Sequence, residues 1–254
     1  MIDTHAHLYA EEFDHDRDEM LQRAKDAGVQ KIILPNVDSS SLQRMLELES
    51  HNPGYCYAAI GVHPTSIGSN FEEELKLVRS ELERRSWVAI GEIGIDLYWD
   101  KTYIEEQKEA FRRQLSWSLE FDLPVIIHVR DSFTETMSVL SEFRGKGLRG
   151  VFHSFTGNNN EASTVIAYKG FLLGINGIVT FKNAGLAESL CDISPENLLL
   201  ETDAPYLSPV PYRGKRNESS YLQLIAQKTA EHVGCTVDEL TGITTRNAKK
   251  LFSL

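Results

Sequence analysis

The sequence has little cysteine and no long hydrophobic run. Its three cysteines, Cys56, Cys191 and Cys235, are odd in number and far apart. A disulfide framework is therefore not expected, and a reducing compartment such as the cytoplasm fits this usage better. The N-terminal residues show no basic segment followed by an apolar one, so no signal peptide is predicted. The apolar runs are too short to span a membrane, and neither a membrane nor an obligatory protein partner is expected.

Positive charge is also scarce. The chain carries 26 Lys and Arg residues against 37 Asp and Glu, which gives a formal net charge of −11 at pH 7. No global basic field is available to attract nucleic acid or an anionic membrane. If the substrate carries phosphates, local arginines or bound cations must supply the positive charge.

Several familiar catalytic motifs are missing. The sequence contains no G-x-S-x-G nucleophile elbow, no G-x-x-x-x-G-K-[ST] phosphate loop and no H-E-x-x-H zinc motif. The place after the first apolar run, where a dinucleotide-binding fold carries its glycine-rich turn, holds H-A-H instead. These absences disfavour the corresponding hydrolase, nucleotidase and dehydrogenase classes.

Short apolar runs, rich in β-branched residues and largely without alternation, recur through the whole sequence. Runs of this kind are typical of strands buried on both faces, as in a parallel sheet. Amphipathic stretches separate them, and a last helical pair is predicted in the tail, with Thr236 as N-cap. Eight runs at about 32 residues per unit predict a single-domain (β/α)8 barrel over residues 1–254, with a doubly wound open sheet as the competitor. The runs cover residues 1–7, 30–37, 55–64, 87–96, 123–130, 149–155, 170–177 and 197–205.

Histidines and acids fall at or near the ends of these predicted strands. In a barrel all carboxyl ends of the strands meet at one face, where barrel active sites are built. The H-x-H pair places both imidazoles on the same side of the first strand, because side chains alternate with a period of two. A buried cluster of imidazoles and carboxylates would be poorly solvated without a cation, so the set predicts a metal site: His5, His7, Glu92, His128, His153 and Asp203.

The number of ligands favours two cations over one. Glu92 would bridge them with its two oxygens, and Asp203 would complete the first site with the H-x-H pair. His128 and His153 would form the second. Two such cations clamp a phosphodiester and lower the pKa of a bridging water to supply the nucleophile, with Asp203 as a proton acceptor. Four imidazoles favour zinc, manganese, iron or nickel over magnesium.

Three further residues allow a functional and a structural interpretation. His63 ends the third predicted strand and either contacts substrate or packs as a structural histidine. Glu201 shares a strand face with Asp203 and is expected to orient a ligand histidine. Arg130 either holds a phosphate or forms a structural ion pair.

The loop after the eighth predicted strand supplies local positive charge. Basic residues interleaved with aromatic ones suit single-stranded nucleic acid, although most charge runs are simply solvated. A second aromatic pair follows the fourth predicted strand and serves either for stacking or for rim packing. The loop residues are Tyr206, Tyr212, Arg213, Lys215 and Arg216, and the second pair is Tyr98 and Trp99.

Taken together, these segments resemble the TatD-type deoxyribonuclease family of barrel metal-dependent hydrolases. The matching segments are IDTHAHL, GVHP, GEIGID, VIIHVRD, FHSFTG and ETDAPYLSPVPYRGKRN, in order over essentially the whole chain. The resemblance implies a (β/α)8 barrel and a divalent-metal phosphodiesterase acting on DNA, often as a 3′→5′ exonuclease that prefers single strands. Members of the family are commonly assayed with magnesium or manganese.

The resemblance also carries residue roles. His5 and His7 match the family's H-x-H ligands, Glu92 its shared glutamate, and Asp203 the aspartate at the first metal. His128 and His153 match the ligands of the second metal, while His63 and Glu201 match positions near the active site. The stretch after RGK, which reads RNEPSY in the family, is RNESSY here, with Ser219 in place of proline.

The expected function is therefore a two-metal deoxyribonuclease, with magnesium, manganese or zinc as its ions. An alternative is a barrel hydrolase of ester or amide bonds, such as an aminoacyl-tRNA deacylase. Many amidohydrolases bridge their metals with a carbamylated lysine, whereas here Glu92 takes that place. An alternative of another class is a catalytically silent barrel that binds metal or a partner, although the complete ligand set does not call for it.

Overall fold

Eight strands alternate with helices in the computed structural model, which describes residues 1–182 and 185–254. All eight predicted strands are confirmed, although each is shorter than its apolar run. The strands β1 to β8 are Ile2–Asp3, Lys31–Pro35, Cys56–Ala59, Ile90–Asp96, Val125–Arg130, Gly150–Phe152, Phe171–Ile175 and Leu198–Leu200. The helices α1 to α9 are Arg17–Asp26, Ser39–His51, Phe71–Arg84, Ile104–Glu120, Phe133–Ser141, Asn159–Ala167, Leu186–Leu190, Leu222–Val233 and Val237–Phe252.

The strands are parallel and neighbours in sequence order. One hydrogen-bonded ladder joins β1 to β3, and a second joins β4 to β8. A parallel bridge between Ile60 and Ile90 connects β3 to β4. A second bridge pairs Ala6 with Ala204, where the His7 N–H donates to the Ala204 carbonyl at 2.7 Å. The last strand therefore returns to the first, and the predicted (β/α)8 barrel is confirmed.

The tail forms one helix where the sequence predicted a pair. The predicted N-cap is present, because the Thr236 Oγ1 accepts from the Glu239 N–H at 3.2 Å and the Glu239 carboxylate accepts from the Thr236 N–H at 2.9 Å. Gly242 does not interrupt α9, although a glycine inside a helix costs about 1 kcal/mol. Leu240 and Thr244, on either side of Gly242, are both buried, so one packed face continues across it.

An apolar layer fills the barrel beneath the polar mouth. Ile126 precedes His128 by two residues, and Val151 precedes His153 by two, so each pair lies on the same side of its strand. The last turn of α9 packs on this layer from the opposite end of the barrel. The layer consists of Ile2, Ile33, Ala59, Ala89, Ile126, Val151 and Leu199 with Ala248, Leu251 and Phe252 of α9. This apolar layer therefore lies directly beneath the polar side chains at the carboxyl ends of the strands.

Within the described ranges, every helix is too short or too polar to cross a lipid bilayer.

Candidate active site

The carboxyl ends of five strands bring the six predicted ligands together. Two histidines follow β1, one glutamate lies within β4, one histidine lies within β5 and another follows β6 directly. The aspartate comes three residues after β8. Mutual distances below 4 Å link all six side chains, which are His5, His7, Glu92, His128, His153 and Asp203.

Glu92 lies at the centre, and its two carboxylate oxygens face different imidazoles. Oε2 lies 3.1 Å from His5 Nε2 and 3.6 Å from His7 Nε2. Oε1 lies 2.9 Å from His128 Nδ1 and 3.4 Å from His63 Nε2. A single carboxylate thus connects two sets of nitrogen donors, which is the arrangement that the sequence predicted for a bridging ligand.

Asp203 and His153 complete the cluster on the side of β1. Asp203 Oδ1 lies 3.7 Å from the Nε2 atoms of both His5 and His7 and 3.8 Å from His153 Nε2. The rings of His5 and His153 stack with their centroids 3.4 Å apart. Donor atoms of His5, His7 and Asp203 lie within 4.8 Å of one another, as do those of His5, Glu92 and His153. Both groups are compact enough to share a cation.

His63 belongs to a third compact group, together with Glu92 and His128. The Thr65 N–H donates to its Nδ1 at 3.1 Å. A ring nitrogen that accepts a hydrogen bond is unprotonated, so the proton of the neutral ring is on Nε2. His63 therefore presents an N–H to Glu92 or to a substrate oxygen, which suits the predicted substrate contact better than metal ligation.

Tyr9, which the sequence reasoning missed, fixes the opposite tautomer on His7. The Tyr9 hydroxyl donates to the Pro35 carbonyl at 2.6 Å and lies 2.8 Å from His7 Nδ1. Because its one proton is already used, the hydroxyl accepts from an Nδ1–H of His7. This leaves the His7 Nε2 lone pair facing the cluster. The position of Tyr9, two residues after His7 on the same side of the chain, was the available signal.

Asp96 is the second residue that sequence reasoning missed. Its Oδ2 lies 2.9 Å from His128 Nε2. Its Oδ1 accepts from the Tyr98 N–H at 2.9 Å. Asp96 follows Glu92 by four residues in β4, so strand periodicity places both carboxylates on the same side. The GEIGID segment therefore contained the signal for both acids.

Glu201 makes the contact expected of a residue that orients a histidine. Its Oε1 lies 2.9 Å from His153 Nδ1 and accepts from the Ser154 N–H at 2.6 Å. The Cβ that any side chain would add at Gly174 would lie only 2.4 Å from Glu201 Oε2, so glycine leaves the space that this carboxylate occupies. His153 consequently directs Nε2 towards Glu92 and Asp203.

Burial and mutual attraction displace the pKa values of these groups. Burial raises the pKa of Glu92, but His63, His5 and His153 outweigh it and hold this pKa well below its usual range. Burial lowers the pKa of His153, yet Glu201, Glu92 and Asp203 together raise it to about 10. Without another cation, His153 thus carries the positive charge that the carboxylates require.

Two other groups have shifted pKa values: that of His5 favours metal ligation, whereas that of Asp203 opposes it while no cation is bound. Burial and the neighbouring His153 lower the pKa of His5 well below its usual value, which keeps that imidazole neutral. Burial raises the pKa of Asp203 to about 6, against the opposing effect of His153 and His7. Metal ligation needs neutral imidazoles and ionised carboxylates. A divalent cation fits this donor set, because it replaces the proton on His153 and neutralises the buried acids.

Exposed aromatic side chains stand at the mouth of the cavity, whose volume is about 560 Å³. Trp99 is 70% exposed and Tyr206 is 53% exposed, and both line the cavity together with Arg130. The Arg130 guanidinium lies 3.8 Å from the centroid of the Tyr98 ring. Arg130 thus lines the cavity, and its contact with a phosphate stays a prediction.

The basic residues of the loop after β8 lie outside this cavity, although Tyr206 at the start of the loop lines it. Arg213 is exposed, and its guanidinium lies 4.4 Å from the centroid of the Phe181 ring. The Arg216 guanidinium binds both carboxylate oxygens of Asp16, at 2.6 and 2.8 Å. Lys215 is exposed as well. The structure therefore does not bring these three basic residues into the cluster.

Comparison with known proteins places this fold in a family. A family model described as TatD related DNase matches residues 2–253 of this chain. The chain belongs to that family.

Relatives of this TatD family member extend over its whole length. It is 40% identical to the uncharacterized metal-dependent hydrolase YabD of Bacillus subtilis, over 100% of this chain and 99% of the relative. It is 34% identical to the 3′-5′ ssDNA/RNA exonuclease TatD of Erwinia tasmaniensis, with 100% of both chains covered. The crystal structure of YjjV, a TatD homologue from Escherichia coli, matches it with a TM-score of 0.93 at 31% identity, over 100% of this chain and 98% of that one.

Membership of the TatD family makes the chain a metal-dependent hydrolase. The resemblance found in its motifs is thereby confirmed, and the catalytically silent barrel considered as an alternative is set aside.

Proposed function

We propose that this chain is a two-metal 3′→5′ exonuclease that acts on single-stranded DNA. The observation that carries the proposal is Glu92, whose Oε2 faces His5 and His7 while Oε1 faces His128. Relatives named 3′-5′ ssDNA/RNA exonuclease, which match over their full length, support the direction and the substrate class.

The ligands divide around the two oxygens of Glu92. His5, His7 and Asp203 would hold one divalent cation together with Glu92. His128 and His153 would hold a second one, also together with Glu92. Bound there, the cations would polarise a phosphodiester and supply the nucleophile by lowering the pKa of a water molecule towards about 7. Zinc and manganese suit this donor set better than magnesium, because most of its ligands are imidazoles.

The remaining polar groups orient the ligands and handle protons. Asp203 Oδ1 faces three imidazole nitrogens and is placed to accept a proton from the attacking water. The His63 Nε2–H is placed to donate to a substrate oxygen. Glu201 holds His153 through Nδ1, and Asp96 holds His128 through Nε2.

Substrate phosphates would meet two arginines. Arg130 lines the cavity and is close enough to bind a phosphate near the scissile bond. Arg213 is exposed on the loop after β8 and would contact the strand further along. We assign Arg216 the role of holding that loop against α1 and its preceding turn, because its guanidinium is bound to Asp16.

A nuclease assay tests the proposal. The protein is stripped with a chelator, reloaded with magnesium, manganese or zinc, and given a single-stranded DNA oligonucleotide labelled at its 5′ end. We expect a metal-dependent ladder that shortens from the 3′ end. An RNA oligonucleotide and a DNA duplex of the same sequence show how far the preference for single-stranded DNA extends.

Two results would contradict the proposal in different ways. Cleavage that begins in the middle of the strand would remove the exonuclease assignment and keep the phosphodiesterase. No cleavage with any metal, from folded protein that binds two ions per chain, would move the substrate to acyl esters such as aminoacyl-tRNA.

A further inference from the structure

We propose that Trp99, supported by Tyr98 and Arg130, is a stacking subsite for an unpaired nucleobase at the mouth of the active site. This inference rests on the proposed function and adds to it the part of the substrate that is recognised. We call these three residues the aromatic platform.

The exposure of Trp99 is unusual for this chain. Trp99 is 70% exposed, whereas Trp87 is 6% exposed and packs in the core. Among residues 1–182 and 185–254, every exposed large aromatic side chain lies in the loop after β4 or the loop after β8. Both loops border the catalytic cavity. An indole left in water costs solvation free energy, and its place at a polar cavity points to a ligand with an aromatic face.

The platform is held in a fixed position relative to the metal ligands. Asp96 Oδ1 accepts from the Tyr98 N–H at 2.9 Å and lies 3.4 Å from the Trp99 nitrogen. The other oxygen of the same carboxylate lies 2.9 Å from His128 Nε2. The Asp96 carboxylate thus orients the His128 ring and also holds the backbone of the segment that carries the indole.

The side chains of the platform also brace one another. The Tyr98 and Trp99 rings meet edge to face, with an interplanar angle of 88° and centroids 4.9 Å apart. The Arg130 guanidinium lies 3.8 Å from the Tyr98 centroid and 5.2 Å from that of Trp99. The Arg130 guanidinium occupies one face of the Tyr98 ring, and the indole is the more exposed of the two rings, at 70% against 53%, so it offers the larger free surface to a ligand.

Charge and shape specify the ligand as a nucleotide in a strand. Three acids line the cavity, namely Glu92, Asp96 and Asp203. Within the described part of the chain, Arg130 is the one Lys or Arg residue that lines it with them. An indole beside one guanidinium suits a base stacked on the ring with its phosphate on the arginine. Trp99 also borders a neighbouring groove of about 230 Å³ before α4, which leaves room for the following nucleotide.

Stacking on the platform also explains a preference for single strands. The faces of a base within a duplex are covered by its neighbours, so an indole reaches them only after the strand separates. Stacking on an aromatic side chain contributes about 1–3 kcal/mol per base and tolerates every base. The platform would therefore select unpaired ends without selecting sequence.

Tryptophan fluorescence provides a test that does not depend on turnover. Metal-loaded protein is mixed with a single-stranded oligonucleotide in a stopped-flow instrument, and quenching is recorded before cleavage. We expect quenching in the wild type and in Trp117→Phe, and its loss in Trp99→Phe. Trp117 lies on α4 and serves as the matched control. No quenching in the wild type, or equal quenching in Trp99→Phe, would overturn the platform.

An abasic nucleotide near the 3′ end tests the same contact from the side of the substrate. We expect Trp99→Ala to lower kcat/KM on an ordinary oligonucleotide by roughly 5- to 150-fold, the range that one stacked base gives. On an oligonucleotide whose 3′-terminal residues are abasic, wild type and variant should be equal. An equal loss on both substrates would overturn the platform and leave the nuclease in place. Quenching at Trp99 without any product would support the platform and contradict the proposed nuclease.

Discussion

The carboxylate of Asp96 joins His128 to the backbone of the loop after β4, with Oδ2 lying 2.9 Å from His128 Nε2. A carboxylate on the outer nitrogen of a ligand histidine fixes the tautomer and increases the basicity of the ring. The same group caps the turn through the Tyr98 N–H at 2.9 Å. A change at Asp96 therefore reaches both the proposed metal site and the mouth of the cavity.

Substitution of Asp96 separates these two effects. Asp96→Asn keeps an acceptor for the Tyr98 N–H but removes the negative charge opposite His128. We expect metal affinity and kcat to fall by about 10- to 100-fold, the usual loss for such a partner, with quenching at Trp99 retained. Asp96→Ala should show the same fall in metal affinity and kcat and should also lose the quenching at Trp99. Metal content measured alongside kcat and KM decides the matter, and wild-type metal affinity in Asp96→Asn would contradict the positioning role.

Glu92 offers the most direct test of the bridging ligand. Glu92→Gln keeps the size of the side chain but removes the charge shared by the two sets of imidazoles. Because the cations contribute several kcal/mol of transition-state stabilisation, we expect turnover to fall on the order of 1000-fold. Bound metal, measured by elemental analysis, should fall below that of the wild type. Glu81→Gln, a buried glutamate on α3, is the control and should leave both values unchanged.

Much of this architecture could be predicted because strand runs and their carboxyl ends are local features of the sequence. The placement of His5, His128 and Asp203 at one mouth follows from parallel strands alone, whatever the details of packing. The pairing of Arg216 with Asp16 could not be predicted in this way. It joins residues 200 positions apart, and nothing in a charge run shows which cation has a partner.

The continuous helix α9 also shows that local sequence signals can be outweighed by contacts with the rest of the chain. Gly242 is a local signal for a break, but buried residues on both sides of it pack against the barrel and outweigh that preference. Asp96 was missed for a different reason. Its spacing from Glu92 was visible, whereas its partner His128 comes from the next strand along the chain.

Ser219, which stands where the family has proline, makes a buried hydrogen bond. Its Oγ donates to Asp3 Oδ2 at 2.6 Å, beside a second donor, the Thr202 Oγ1 at 2.7 Å. Ser219→Ala leaves a buried carboxylate oxygen with one donor fewer, and we expect a loss of about 1–3 kcal/mol in the free energy of unfolding. Urea denaturation measures it, with Ser116→Ala on the exposed side of α4 as control. Equal stability of the two variants would show that the bond contributes nothing.

The ion pairs around Asp16 predict a dependence of stability on pH. Hydrogen bonds from Arg216 and Arg23 hold the pKa of Asp16 well below its usual range. A carboxylate with a depressed pKa stabilises the fold above the unfolded-state pKa of about 3.9, and this contribution is lost as the pH falls through the folded-state pKa. Asp16→Asn should therefore have a lower Tm than the wild type at neutral pH, and the difference should shrink in strong acid. A difference that stays constant with pH would contradict the assignment.

Arg213 and Arg216 lie three residues apart, yet the structure predicts different consequences for their removal. Arg213 is exposed, and no carboxylate among the described residues forms an ion pair with it. Its charge is therefore available for a phosphate. Arg213→Ala should weaken binding of single-stranded DNA and reduce the slope of log K against log salt by about 0.7, the value for one phosphate contact. Arg216→Ala should lower Tm, because Asp16 loses its bidentate partner, and should leave that slope unchanged. Anisotropy titrations over a series of salt concentrations, together with thermal unfolding of both variants, separate the two roles. A flattened slope in Arg216→Ala at unchanged Tm would show that the guanidinium leaves Asp16 to bind the strand.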